Sequence, residues 1–176
     1  NGCSGTETQS VNVNTLPFVT FAGLSSDYCL DDAIAVLTGI PAGGIFSGNG
    51  ITGNNFDPAV AGVGVHSITY SYTDPVGCFN DSIMSVTVNA LPVVSFSGLN
   101  PTYCITAGGS VLTGSPLGGV FGGPGISGSS FFPAIADTGT HSITYTYTDG
   151  NSCVKTDTQT VIVTPIPVAS FTGLSA

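Results

Sequence analysis

The sequence predicts an all-β protein made of antiparallel β-sandwich modules in tandem, and three observations carry that expectation. First, the stretch Gly64–Asp74 (G-V-H-S-I-T-Y-S-Y-T-D) returns at Gly139–Asp149 (G-T-H-S-I-T-Y-T-Y-T-D), so that each position is matched by one at a fixed offset (139 − 64 = 75). Second, His, Ile, Tyr and Tyr alternate with Ser or Thr in both copies, the period of a strand buried on one face. Third, short apolar runs are separated by Gly, Pro and Asn, with no helical periodicity between them.

The same offset orders the rest of the chain. It relates Cys3, Cys78 and Cys153, relates Cys29 and Cys104, and relates Leu16-Pro17, Leu91-Pro92 and Ile166-Pro167. Roughly half of the positions in 16–90 are identical in 91–165, which marks a repeat. The expected organisation is therefore the last strand of a preceding module in 1–15, modules in 16–90 and 91–165, and the first strand of a following module in 166–176. Asn1-Gly2-Cys3 contains no signal peptide and reads as a beginning in mid-chain.

Within the first module, Phe18–Gly23 reads as a first strand, with Pro17 tolerated at its start. Ala33–Thr38 and Gly44–Ser47 read as the second and third strands. Asn49-Gly50 is a turn dipeptide, followed by short runs at Ile51-Thr52 and Asn55-Phe56-Asp57. In the central strand, His66, Ile68, Tyr70 and Tyr72 are expected to point inward, with Ser67, Thr69, Ser71 and Thr73 toward solvent. Ser82–Val88 closes the module. A unit this small buries only ~60% of its unfolded surface, so disulfides or neighbouring modules are expected to add stability.

The net charge is −9 although only 6% of residues are charged, because Lys155 is the sole basic side chain. Nucleic acid and anionic membrane surfaces are poor partners for such a chain, since both need Lys and Arg. No apolar run approaches the roughly 20 residues of a membrane span. Surfaces rich in Ser, Thr, Asn and Gly, with cysteines at regular intervals, point to an oxidising, extracellular setting.

Asp137-x-Gly139-x-His141-x-Ile143 resembles the D-x-G-x-Y-x-C pattern of immunoglobulin-like domains, with His for Tyr and Ile for Cys. The first module keeps only Gly64-x-His66-x-Ile68. More broadly, L-T-G-x-P-x-G-G-x-F-x-G-x-G-I-x-G, then F-x-P-A-x-A, then the central strand, resembles tandem immunoglobulin-like and PKD-like repeats of giant secreted surface adhesins of Bacteroidota. The resemblance spans both modules. It implies secretion by the type IX route and a stalk or filament role at the cell surface, as in gliding adhesins.

No catalytic residue, cofactor site or metal site is expected. His66 and His141 lack companions at ligand spacing and read as inward-facing corner residues bonded to backbone. There is no nucleophile elbow and no helix-opening phosphate loop. Asp27, Asp31 and Asp32 cluster near Cys29, but their counterparts at 102, 106 and 107 are Thr, Thr and Ala. A solvated loop is therefore preferred to a calcium site. Asp81-Ser82-Ile83 fits the O-glycosylation pattern of the resembled bacteria, making Ser82 the expected acceptor.

For the cysteines two pairings compete. An intramodule scheme joins Cys29 to Cys78 and Cys104 to Cys153. It has to span about seven strand residues, ~20 Å, whereas a disulfide needs Cα atoms within about 7 Å. Head-to-tail modules bring Cys29 near Cys153, and this intermodule bridge is the preferred expectation. Cys3, Cys78 and Cys104 then pair with further modules. The joint Val88–Pro92 is short and contains Pro, which limits hinge motion.

Together these features predict a structural or adhesive segment of an extracellular filament or adhesin stalk, with no catalysis. Its partners are neighbouring modules of the same chain, with lateral filament contacts and surface glycans as further candidates. One alternative is a fibre polymerised by strand donation, with 1–14 or 166–176 entering a neighbour's sheet. The other is a carbohydrate-binding accessory module of a secreted enzyme.

Overall fold

The computed structural model describes residues 1–170. The chain is all-β and divides into two compact units, Asn1–Asn89 and Ala90–Ala176.

In the first unit, β1 (Thr20–Ala22) and β2 (Asp27–Cys29) are followed by β3 (Ala35–Val36), β4 (Thr38–Ile40) and β5 (Ile45–Ser47). Then come β6 (Ile51–Thr52), β7 (Asn55–Phe56), one helical turn α1 (Pro58–Ala61), β8 (Gly64–Thr73) and β9 (Phe79–Asn89). Four strands form the main sheet in the order β2-β9-β8-β5, while β1-β4 and β3-β7-β6 form two smaller sheets. Phe21 of β1 meets Phe46 of β5 edge-on at 5.3 Å, and Tyr28 of β2 meets Phe56 of β7 at 5.3 Å. These ring pairs join the small sheets to the large one across a core of Val19, Leu37, Ile68, Tyr70, Val86 and Val88.

The central strand follows its period in part, since Thr69 and Ser71, expected toward solvent, are half-buried where they pair with β5. Ile68 and Tyr70 are buried and Tyr72 is half-buried, while Ser67 and Thr73 are exposed. His66 is half-buried rather than fully inward, because it sits near the open start of β8, and His141 at the start of the equivalent strand is half-buried too.

Several local expectations are corrected. The strand expected at Ala33–Thr38 is two strands, β3 and β4, in different sheets, with Leu37 buried where the chain changes sheet. Asp27–Cys29, expected as part of a solvated loop, pairs parallel with Thr87–Asn89 of β9. The large sheet is therefore not wholly antiparallel. The parallel pair is possible because nearly the whole unit forms the crossover between β2 and β9. The turn α1 has no counterpart in the sequence reading, since four residues are too few for a periodicity to show. Asp57 caps it, with Oδ1 accepting from Ala59 N at 2.9 Å.

The second unit repeats the plan with β10 (Ser95–Ser97), β11 (Thr102–Cys104), β12 (Ser110–Val111), β13 (Thr113–Ser115), β14 (Val120–Gly122), β15 (Ile126–Ser127) and β16 (Ser130–Phe131). After α2 (Pro133–Ala136) come β17 (Gly139–Thr148) and β18 (Val154–Thr164). Its large sheet runs β11-β18-β17-β14, again with one parallel pair, Thr102–Cys104 on Ile162–Thr164.

Residues 1–19 carry no strand, and Val11 and Val13 are 85% and 87% exposed. Their counterparts Val86 and Val88 are each 1% exposed. A strand needs a sheet to pair with, and 1–15 has none here. Residues 166–170 are likewise without strand, and the remainder of the expected strand 166–176 lies outside the described residues.

Candidate functional site: cysteine seats and a tyrosine slot

Two kinds of position recur in both units, one holding cysteine and one holding tyrosine. The first cysteine seat is the last residue of the strand that pairs parallel with the closing strand. Cys29 faces Asn89 across β2 and β9, and Cys104 faces Thr164 across β11 and β18. The second seat lies in the hairpin before the closing strand. There Asp74 N donates to Cys78 O at 3.0 Å, and Cys78 N donates back to Asp74 Oδ1 at 2.8 Å. Asp149 and Cys153 repeat both bonds, at 3.0 and 2.9 Å. An aspartate that folds its carboxylate onto the following backbone is a turn former, and here it fixes where the thiol sits.

The two seats lie at opposite ends of each unit. From Cys78 to Asn89 the chain runs 11 residues (89 − 78) of extended strand, about 36 Å at ~3.3 Å per residue. A Cys29–Cys78 bond is thus out of reach, by a wider margin than the expected seven-residue strand implied. Cys29 and Cys153 are disulfide-bonded and buried, at 8% and 0% exposure. Cys3, Cys78 and Cys104 are free thiols, which leaves the alternative Cys29–Cys78 and Cys104–Cys153 scheme without two of its members.

Cys104 is half-buried, with Sγ 3.3 Å from Thr106 Oγ1. That side-chain hydrogen bond, helped by the backbone amides of Thr106 and Ile105, holds the thiol below its ordinary pKa, against a smaller opposing effect of desolvation.

The tyrosine slot explains two glycines of the glycine-rich motif in each unit. Tyr70 Oη donates to Pro41 O at 2.5 Å and accepts from Gly44 N at 2.7 Å. A Cβ at Gly39 would collide with the Tyr70 ring, and one at Gly44 would lie 2.5 Å from Tyr70 Cζ. Both glycines are therefore absent side chains into which the ring fits. Tyr145 repeats the arrangement with Pro116 O at 2.6 Å and Gly119 N at 2.8 Å. The strand alternation places Tyr70 inward but is silent about the slot. Its signal is the pairing of Gly-x-Pro-x-Gly-Gly with a tyrosine in the central strand.

The other expected sites make mostly local contacts, with one longer-range approach, Asn49 Nδ2 to His66 Nδ1 at 3.5 Å. His66 Nε2 donates to Gly62 O at 2.8 Å, and His141 Nε2 to Asp137 O at 2.9 Å. Asp32 Oδ2 accepts from Cys29 N at 2.7 Å, and Asp27 Oδ2 from Ser26 Oγ at 2.7 Å. Among the described residues no three His, Cys, Asp or Glu side chains converge on a point. Ser82 is half-buried opposite Tyr70. An open groove of about 470 Å³ in the second unit is lined by Leu112, Leu117, Val120 and Tyr145, the last already committed to Pro116. No helix among the described residues is long and apolar enough to cross a membrane.

No protein-family model matches the chain, and no curated protein matches it. A solved structure reported as "Ca2+-stabilized adhesin helps an Antarctic bacterium reach out and bind ice" is similar to it, with 14% identity and a TM-score of 0.42. The match covers 86% of this chain and 50% of that one, so this chain spans about half its length.

Proposed function

We propose that the chain is a segment of an extracellular stalk or filament in which sandwich modules follow one another in tandem and a Cys29–Cys153 disulfide ties consecutive modules. Catalysis has no part in this reading. The observation that carries it is the placement of the cysteine seats. Each module holds its two cysteines about 36 Å apart at opposite ends. Cys29 and Cys153 are the bonded members, and one comes from each module. A bond between such seats serves reach and resistance to unfolding.

The sequence likeness to giant Bacteroidota adhesins supports the same reading and brings type IX secretion and surface adhesion with it. A glycan on Ser82 belongs to it as well. Ser82 is half-exposed, and an intact mass equal to the bare polypeptide dismisses the modification.

Peptide mapping of the oxidised chain is expected to join Cys29 to Cys153. Small-angle scattering is expected to give an elongated particle that resists bending until dithiothreitol is added. A Cys29–Cys78 peptide, or a compact particle, overturns the proposal. The strand-donating fibre is favoured instead by one observation, the unpaired Val11 and Val13. It predicts a ladder of subunits on semi-denaturing gels that collapses to a single small band on boiling.

A further inference from the structure

We infer that the parallel pair of β2 with β9, and of β11 with β18, is the tension-bearing clamp of its unit, the contact that must part before the unit lengthens under a pull along the chain. This rests on the stalk reading above, which supplies the pull. Strand order sets the direction of loading. The chain enters the first unit ahead of β2 and leaves it at the end of β9. The two strands run parallel, in register from Asp27↔Thr87 to Cys29↔Asn89. A pull on the entering chain therefore drags β2 back along its axis, while a pull on the leaving chain drags β9 forward. Bonds between them are loaded side by side and not one after another. An antiparallel pair in the same place would open from one end, bond by bond. β1 lies upstream, paired with β4, and its release leaves the β2–β9 contacts intact.

The pair is short, yet both units bond it beyond its ladder. Thr87 N donates to Ser26 O at 2.8 Å, and Leu30 N donates to Asn89 O at 3.0 Å. In the second unit Ile162 N donates to Pro101 O and Ile105 N to Thr164 O, each at 2.9 Å. The last residue of the closing strand adds a side-chain bond, and it does so with unlike chemistry in the two units. Asn89 Nδ2 donates to Tyr28 O at 3.3 Å, and Thr164 Oγ1 donates to Tyr103 O at 3.1 Å. An amide and a hydroxyl thus reach equivalent carbonyls from equivalent positions. Val88 and Val163, inside the two pairs, are 1% and 2% exposed, which keeps water from replacing the bonds on their side.

The test pulls the whole chain in single-molecule force spectroscopy with dithiothreitol present, so that the backbone is the one path for tension. Two unfolding events are expected, one for each unit. Thr87→Pro removes the N–H that bonds Ser26, and Ile162→Pro removes the one that bonds Pro101. Each is expected to remove one high-force event, and the double variant both. Asn89→Ala and Thr164→Val spare the backbone and are each expected to lower the force of one event; they decide the matter if a proline variant does not fold. Tyr70→Phe weakens the first unit outside the pair. It is expected to lower the denaturant midpoint and leave the unfolding force, because forced unfolding follows the barrier and not the equilibrium. Forces unmoved by Asn89→Ala combined with Thr164→Val, or lowered as much by Tyr70→Phe, overturn the clamp. Because the pull is made on the reduced chain, that failure leaves the stalk reading standing, whereas a Cys29–Cys78 peptide from the oxidised chain removes the stalk reading and not the measured clamp.

Discussion

Tyr70 Oη lies 2.5 Å from the carbonyl oxygen of Pro41, a residue 29 positions earlier, and the bond fastens the turn between β4 and β5 to the central strand. Because the same hydroxyl also accepts from Gly44 N, one side chain satisfies two backbone groups that no strand reaches. Buried backbone groups left without partners are costly, so a turn crossing from one sheet to another needs such a device.

Tyr70→Phe keeps the ring and its contact with Phe46 at 4.5 Å but strips both backbone groups of their partner. The expected loss is about 1–3 kcal/mol. Denaturant unfolding followed by tyrosine fluorescence reads it as a lower midpoint with an unchanged slope. Tyr145→Phe is expected to behave alike in the second unit. Unaltered midpoints in both would show that the hydroxyl contributes nothing.

The slot separates two reasons for glycine. Gly39→Ala drives a methyl into the Tyr70 ring. Overpacking of that kind costs about 1–3 kcal/mol, occasionally more. Gly43 has a φ of +98° and open space around its missing Cβ. Its replacement by Ala therefore costs only backbone strain, on the order of 1 kcal/mol. Thermal melts are expected to rank Gly39→Ala below Gly43→Ala. The reverse order would mean that conformation, and not the ring, selects Gly39.

How far the sequence was legible follows from which forces leave a local mark. The alternation in Gly64–Thr73 is local, and Ile68 and Tyr70 lie buried as it requires. The strand Asp27–Cys29 left no mark, because its three residues owe their conformation to the distant Thr87–Asn89. The split of Ala33–Thr38 was hidden for a like reason: Leu37 is buried whichever sheet its neighbours join, so hydrophobicity is continuous where pairing is not. The glycine motif was visible as a pattern, but the reason for Gly39 and Gly44 in it is a tyrosine that stands 26 positions beyond Gly44.

The turn after α2 carries strain that the first unit avoids. Asp137 has φ 67° and ψ 176°. Its counterpart Gly62 adopts φ 80° and ψ 169°. That region is almost reserved for glycine. Asp137→Gly relieves strain of about 1–3 kcal/mol, offset by up to ~1 kcal/mol of added chain entropy. It also loses a 2.7 Å contact from Thr138 N, which an exposed amide replaces with water. A net gain of about 1 kcal/mol is expected for the second unit. Gly62→Ala is expected to destabilise the first. A melting temperature lowered by Asp137→Gly would show that the Thr138 contact outweighs the backbone.

Cys104 offers a pH-dependent readout of its own surroundings. A thiolate accepting the Thr106 hydroxyl proton is stabilised over the neutral thiol, so the thiol titrates below its ordinary value. The sign of the consequence is fixed: at any pH beneath that ordinary value, Cys104 holds a larger thiolate fraction than an unperturbed cysteine. Iodoacetamide is expected to alkylate Cys104 near neutral pH faster than it alkylates the same thiol in Thr106→Val, with the difference closing as the pH rises. Thr106→Val removes the side-chain hydrogen bond, the largest cause, and leaves the backbone amides in place. The pH profile of Cys104 alkylation should therefore move upward toward the ordinary thiol range without reaching it. A profile unmoved by Thr106→Val would assign the shift to the amides of Thr106 and Ile105 alone.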